Sequence, residues 1–167
     1  SYQRAARVPL LIGLDEEGGA VVPVSSNPQL APPRFQSPQE LASLGGDGIF
    51  AEDARQKSAL LLSLGINVNF APVADVSTDP EDFIYDRTLG QNAQATAQYV
   101  TEVVGAMEDC GIGSVLKHFP GYGNNRDTHT GIALDQRPLE TFETVDFLPF
   151  QAGITAGADS VLVSHNI

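Results

Sequence analysis

The chain has 167 residues, 42% of them hydrophobic and 18% charged, with a net charge of −12. That apolar content suits one domain with a buried core and excludes intrinsic disorder. The acidic balance disfavours nucleic-acid backbones and a basic membrane-surface helix, and a single cysteine, Cys110, excludes an internal disulfide or a cysteine-based zinc cluster.

The first apolar run, Val8-Pro9-Leu10-Leu11-Ile12-Gly13-Leu14, is nearly continuous and reads as a strand covered on both faces. It ends in Asp15-Glu16-Glu17-Gly18-Gly19, and a loop rich in Pro and Ser runs from Pro23 to Arg34. Ser37-Pro38-Gln39-Glu40 has the form of a capping box with proline at the first helical position. Residues 47–64 carry a helical apolar pattern that stops at Gly65. A second strand is expected over Ile66–Ala71, continuing to Val76 and a polar loop. Residues 92–110 form the next helical pattern, with Gly111 as its stop. The third strand is Ser114–Phe119, followed by a long polar loop from Pro120 to about Pro138. A helix over 144–156 and a strand over 158–163 close the series. No run approaches the ~20 apolar residues of a membrane helix. Ser1-Tyr2-Gln3-Arg4 carries no signal-peptide core, which leaves the compartment open between cytoplasm and export.

Alternating strands and helices predict an α/β fold with a parallel sheet and right-handed crossovers. An open doubly wound sheet and part of a (β/α)8 barrel both satisfy the order. Asp15, Asp75, Lys117 with His118, and His165 all fall at expected carboxyl ends of strands, and barrels collect their reactive groups there. The barrel is therefore preferred. No dinucleotide fingerprint follows any strand; Gly121-Tyr122-Gly123 lacks the third glycine.

Lys117-His118-Phe119-Pro120-Gly121-Tyr122-Gly123, followed by Asp127-Thr128-His129, resembles glycoside hydrolase family 3, in its β-N-acetylhexosaminidase branch. Three other segments fit the family's patterns in order. They are Asp15-Glu16-Glu17-Gly18-Gly19, the run from Gly65 through Asn67 and Pro72 to Asp75-Val76, and Asp86-Arg87-Thr88-Leu89-Gly90. The resemblance spans roughly Val8 to Ile167. It implies about four of the eight strands of a TIM-type barrel, hence a partial catalytic domain over residues 1–167. It further implies removal of terminal β-N-acetylglucosamine from cell-wall or chitin-derived oligosaccharides, as in peptidoglycan recycling, with no metal or organic cofactor.

In an extended loop, residues two apart can face the same side, so Asp127 can hold one imidazole nitrogen of His129 and free the other for proton transfer. Read alone, the segment equally fits a turn-capping aspartate beside an exposed histidine. The resemblance makes His129 the acid/base and Asp127 its partner. It assigns sugar contacts to Asp15, Arg87, Lys117 and His118. The residues alone leave alternatives: Asp15 capping a turn, Arg87 paired with Asp86 or Asp82, Lys117 snorkelling and His118 satisfied in the core. Consecutive strand residues such as Lys117 and His118 point to opposite faces, so sharing one site requires a twist or bulge. Asp75 reads as mainly structural, and His165 as a residue that lines the site or merely ends the strand.

Two departures from the family stand out. Pro23 occupies a usual arginine position and supplies neither charge nor donor, so sugar binding is weaker here or Arg34 or Arg126 compensates. The family's nucleophilic aspartate follows a later strand, and no residue here takes that role. Four strands would also leave two edges open to self-association. A non-catalytic sugar-binding or structural domain is the competing reading, and a metal-dependent hydrolase using His118, Asp127, His129 and His165 a remote one.

Overall fold

The computed structural model describes residues 2–30 and 34–167, so positions 31–33 of the Pro/Ser-rich loop lie outside the described residues. Four strands form one sheet: β1 Gly13–Leu14, β2 Val68–Asn69, β3 Gly113–Phe119 and β4 Ser160–Val163. All neighbours are parallel and the spatial order is β1-β2-β3-β4. A doubly wound sheet reverses its order at a switch point; this one does not, so it continues in one direction as β/α barrel units do. The helices are α1 Tyr2–Ala5, α2 Pro38–Leu44, α3 Ile49–Ser63, α4 Ala93–Cys110, α5 Leu139–Thr141 and α6 Phe147–Thr155. A π-helical turn, Phe142–Asp146, joins the last two. Among the described residues no helix is long and apolar enough to cross a membrane.

Local sequence explains the helix ends. Ser37 Oγ accepts the Glu40 amide at 3.2 Å while Glu40 Oε2 accepts the Ser37 amide at 2.7 Å, closing the capping box that starts α2. Asn92 Oδ1 accepts the Ala95 amide at 3.0 Å to start α4, and Gly111 ends it at φ 70°. The last helical stretch begins at Leu139, five residues earlier than the apolar pattern suggests, because Pro138 is extended and serves as its N-cap.

β1 is much shorter than the run Val8–Leu14. The side chain of Asn67 takes over where a ladder would have run, accepting from Ile12 N at 2.7 Å and donating to Leu10 O at 2.9 Å. Val8 and Leu11 remain exposed. The core lies on the helix side of the sheet, where Leu61, Val100, Val104 and Leu116 are completely buried. A Cβ on Gly153 would stand 2.6 Å from Leu116 Cδ2, so a glycine lets α6 pack this closely onto β3. Phe119 stacks on Phe147 at 5.4 Å and meets Phe150 edge-on at 5.3 Å. This packing fixes the carboxyl end of β3, where the polar residues gather.

Candidate active site

The carboxyl ends of the strands open into a cavity of about 560 Å³, within the range of small-molecule sites. Asp15, Arg87, Lys117, His118 and His129 all line it, as do Glu17, Tyr122 and His165. The loop after β1 is held from below. Asn69 Oδ1 accepts the Glu16 amide at 2.9 Å and its Nδ2 donates to Glu16 O at 3.0 Å. The Glu16 carboxylate accepts the amides of Val24 and Ser25 at 2.9 and 3.1 Å. Lys57, itself paired with Asp53 at 2.6 Å, donates to Glu17 O at 2.7 Å. Gly18 turns the chain at φ 109°, where a Cβ would overlap Gln36 O.

A charge cluster forms the cavity floor. Lys117 Nζ lies 2.5 Å from both Asp15 Oδ1 and Glu17 Oε1. Glu17 Oε1 also accepts from Arg87 Nη2 at 2.7 Å, and its Oε2 from Arg87 Nε at 3.0 Å. Arg87 thus makes its bidentate ion pair with Glu17, not with Asp86 or Asp82, the alternative its neighbours offered. Burial opposes ionisation of Glu17, but the hydrogen bond and charge of Arg87 and the charge of Lys117 outweigh it, and its carboxyl titrates below the ordinary range. Lys117 is buried, whereas the Asp15 side chain is 46% exposed. Asp15 is thus the carboxylate of this cluster that is open to a ligand.

Lys117 and His118 reach the same cavity because the β3–β4 register shifts between Lys117 and Phe119, the irregularity their shared use requires. Asp75, completely buried, accepts the His118 amide at 2.9 Å, His118 Nδ1 at 2.8 Å and, on its other oxygen, the Tyr122 amide at 2.8 Å. Arg87 Nη2 approaches His118 Nε2 at 3.3 Å. A guanidinium only donates, so Nε2 accepts and the ring proton sits on Nδ1, facing Asp75. Asp75 is structural, as its sequence position suggested, and its structural task is to orient a cavity residue.

Asp127 and His129 form a compact pair on the loop after β3. Asp127 Oδ1 accepts both the His129 amide at 2.9 Å and His129 Nδ1 at 2.7 Å. These two hydrogen bonds, the backbone one first, hold the Asp127 carboxyl below its ordinary range. The His129 side chain is 80% exposed at the cavity mouth, so its Nε2 edge is free to meet a ligand. Behind it, Tyr122 Oη and Thr128 Oγ1 share a hydrogen bond of 2.7 Å, and the buried Tyr122 ring sits edge-on to His118 and Phe83.

The geometry adds Glu17 and Tyr122 to the residues singled out from sequence. Glu17 lies in the same Asp-x-Glu-Gly-Gly segment as Asp15, the one signal that could have found it. Nothing in the sequence ties Tyr122 Oη to Thr128. Arg34 and Arg126 do not line the cavity: Arg34 donates to Gly19 O, and Arg126 borders a separate surface hollow with Phe83 and Leu134. Neither stands in for an arginine at position 23. Asp159 accepts the Ser114 amide at 2.9 Å at the opposite end of the sheet. Among the described residues no group of three or more His, Cys, Asp or Glu side chains is placed to hold a metal ion.

Residues 1–167 match the family described as "Glycosyl hydrolase family 3 N terminal domain". A Beta-hexosaminidase of Xanthomonas campestris pv. campestris is 37% identical over 170 residues, covering 99% of this chain and 50% of the relative. A Beta-hexosaminidase of Xylella fastidiosa is 34% identical over 173 residues with the same coverage. The chain therefore spans about half the length of the curated relatives it matches. Among solved structures, a family 3 glycosyl hydrolase from Mycobacterium smegmatis superposes with TM-score 0.85 at 32% identity, covering 97% of this chain and 50% of that one. A family 3 β-N-acetylglucosaminidase from Paenibacillus sp. superposes with TM-score 0.86 at 31% identity, covering 96% of this chain and 30% of the other. On its sequence match and its strand order together, the chain belongs to glycosyl hydrolase family 3 and matches that family's N-terminal domain.

Proposed function

We propose that this chain supplies the acid/base pair and much of the sugar-holding wall of a retaining β-N-acetylglucosaminidase. The observation that carries the reading is His129, held through Nδ1 by Asp127, at the mouth of a cavity walled by Asp15, Arg87, Lys117 and His118. As imidazolium, His129 protonates the departing glycosidic oxygen from Nε2 while a carboxylate on the opposite face attacks the anomeric carbon. As neutral imidazole it then takes a proton from the attacking water. Asp127 supports both states by accepting from Nδ1 and by stabilising the positive charge. By the family resemblance, the attacking carboxylate belongs to an aspartate after a later strand.

Asp15 offers an oxygen to vicinal hydroxyls, and Lys117, Arg87 and His118 complete the polar wall around the ring. The substrate class is a terminal β-linked N-acetylglucosamine on cell-wall or chitin-derived oligosaccharides. The names of the relatives and of the Paenibacillus structure support this class. Pro23, with no arginine replacing it in the cavity, favours the second reading, a domain that binds sugar without turnover.

The test is hydrolysis of phenyl N-acetyl-β-D-glucosaminide, whose leaving oxygen must be protonated, by the full-length protein, beside calorimetry with N-acetylglucosamine. His129→Ala is expected to lose about 10²–10⁴-fold in turnover with sugar affinity retained. Unchanged turnover removes His129 from the mechanism, and binding with no turnover by the unaltered protein selects the second reading.

A further inference from the structure

We infer that Arg137 is the positioning residue of the acid/base loop, clamping together the outgoing and returning limbs of the segment that carries Asp127 and His129. The inference rests on the role proposed above for that pair. Arg137 does not line the cavity, so it would act through the loop and not on a sugar.

A single atom joins the two limbs. Arg137 Nη2 donates to Gly121 O at 2.9 Å on the outgoing limb and to Asp135 Oδ2 at 2.8 Å on the returning one. Nε donates to Asp135 Oδ1 at 3.0 Å. Nη1 donates to both oxygens of Asp146 at 3.0 Å, which fastens the clamp to the π-helical turn between α5 and α6. Every guanidinium N–H is thereby used, and the plane lies over the Phe142 ring at 4.3 Å.

The outgoing limb is shaped to the clamp. A Cβ on Gly121 would overlap Asp146 Oδ1, and one on Gly123 would overlap Arg137 Nη1. Asn125 Nδ2 adds a second tie between the limbs, donating to Asp135 Oδ2 at 2.7 Å. Burial works against ionisation of Asp135, but its Arg137 hydrogen bonds overcome it and keep it charged at neutral pH. Proton transfer to a glycosidic oxygen is intolerant of misplacement: an error of about 1 Å can lower a rate 10²-fold. A polar loop of this length with its ends untied would sample many placements. Lysine cannot span these partners, because it lacks the planar fork.

The experiment compares Arg137→Met, Arg137→Lys and His129→Ala in the full-length protein on two N-acetyl-β-D-glucosaminides. The phenyl glycoside needs its leaving oxygen protonated; the para-nitrophenyl one needs it much less. His129→Ala and Arg137→Met are both expected to lose about tenfold more on the phenyl substrate, with Arg137→Lys between Met and the unaltered protein. In parallel, amide exchange in Arg137→Lys should accelerate at residues 124–131 and stay unchanged in α4. A purely structural Arg137 would lower both substrates equally and accelerate exchange in α4 as well, which overturns the inference. Discrimination by His129→Ala without discrimination by either Arg137 variant also overturns it. If His129→Ala itself does not discriminate, the acid/base reading fails instead.

Discussion

The Asp75 carboxylate and the His118 imidazole meet at 2.8 Å beneath the cavity, although one ends the segment after β2 and the other lies in β3. The same carboxylate accepts the amides of His118 and Tyr122, so one buried side chain sets a ring orientation and starts the following loop. Asp75→Asn turns one acceptor oxygen into a donor facing donors. The loss is expected to be about 3 kcal/mol, by analogy with other buried charged acceptors. Urea denaturation at neutral pH measures it, and a change under about 0.5 kcal/mol would contradict the assignment.

Glu17 gives the pH dependence. Its folded-state carboxyl titrates below the ordinary 4.5, since Arg87 and Lys117 overcome the effect of burial. A group lowered on folding contributes stability that is fully present above its unfolded value and is lost as pH falls through its folded value. Glu17→Gln should therefore be less stable than the unaltered protein at neutral pH. The gap should narrow only once pH drops below 4.5, the value the side chain has when unfolded. Denaturation midpoints collected from neutral to strongly acid pH test this, and a gap independent of pH would refute it.

Gly121 sits at φ 119°, with Asp146 where a side chain would go. Gly121→Ala faces both backbone strain and overlap with a buried carboxylate, and should cost about 3 kcal/mol. Gly111 is left-handed, at φ 70° and ψ 32°, and a Cβ there meets nothing within 4 Å. Gly111→Ala is the control, carrying the backbone strain alone at about 1 kcal/mol. Equal thermal shifts for the two variants would mean that the approach of Asp146 to Gly121 contributes nothing.

Tyr122→Phe removes one hydroxyl and keeps the ring between His118 and Phe83. The lost bond to Thr128 should lower stability by about 1 kcal/mol. Amide exchange should rise at Thr128, His129 and Thr130 while β3 stays protected. Unaltered exchange there would show that the phenol does not restrain the loop.

The ends of α2 and α4 were legible because their causes are local. Ser37 with Glu40, Asn92 and Gly111 act within one turn, and each stands where its pattern indicates. The cavity residues shared by the family motifs were legible for a related reason: Asp15, Lys117 and His118 sit at or just after strand ends, which a parallel sheet brings together, while Arg87 comes from the helical turn Tyr85–Arg87 and His129 from the loop after β3. The partners of those residues were not. Arg87 bonds Glu17 seventy positions away, in preference to its neighbours Asp82 and Asp86, because the sheet brings the β1 loop beside it. The length of β1 was also hidden. An apolar run signals a strand only if a neighbour offers backbone to pair with, and β2 offers two residues while the Asn67 side chain takes the place of the rest. The clamp made by Arg137 left no sequence signal beyond its neighbour Asp135, since Gly121 and Asp146 lie on two different elements.

Asp127→Asn separates a structural role from a catalytic one. The Asn oxygen can still accept the His129 amide and Nδ1, so the pair keeps its shape and loses only its negative charge. His129 is 80% exposed and the pair is screened by water, so folding stability should be nearly unchanged. Turnover depends on that charge, because the carboxylate stabilises the imidazolium that donates the proton. A loss of about 10²–10⁴-fold on the phenyl glycoside is expected, with the denaturation midpoint nearly unmoved. A variant that loses stability and activity in proportion would make Asp127 a loop cap; one that keeps full turnover would leave His129 without a partner in proton transfer.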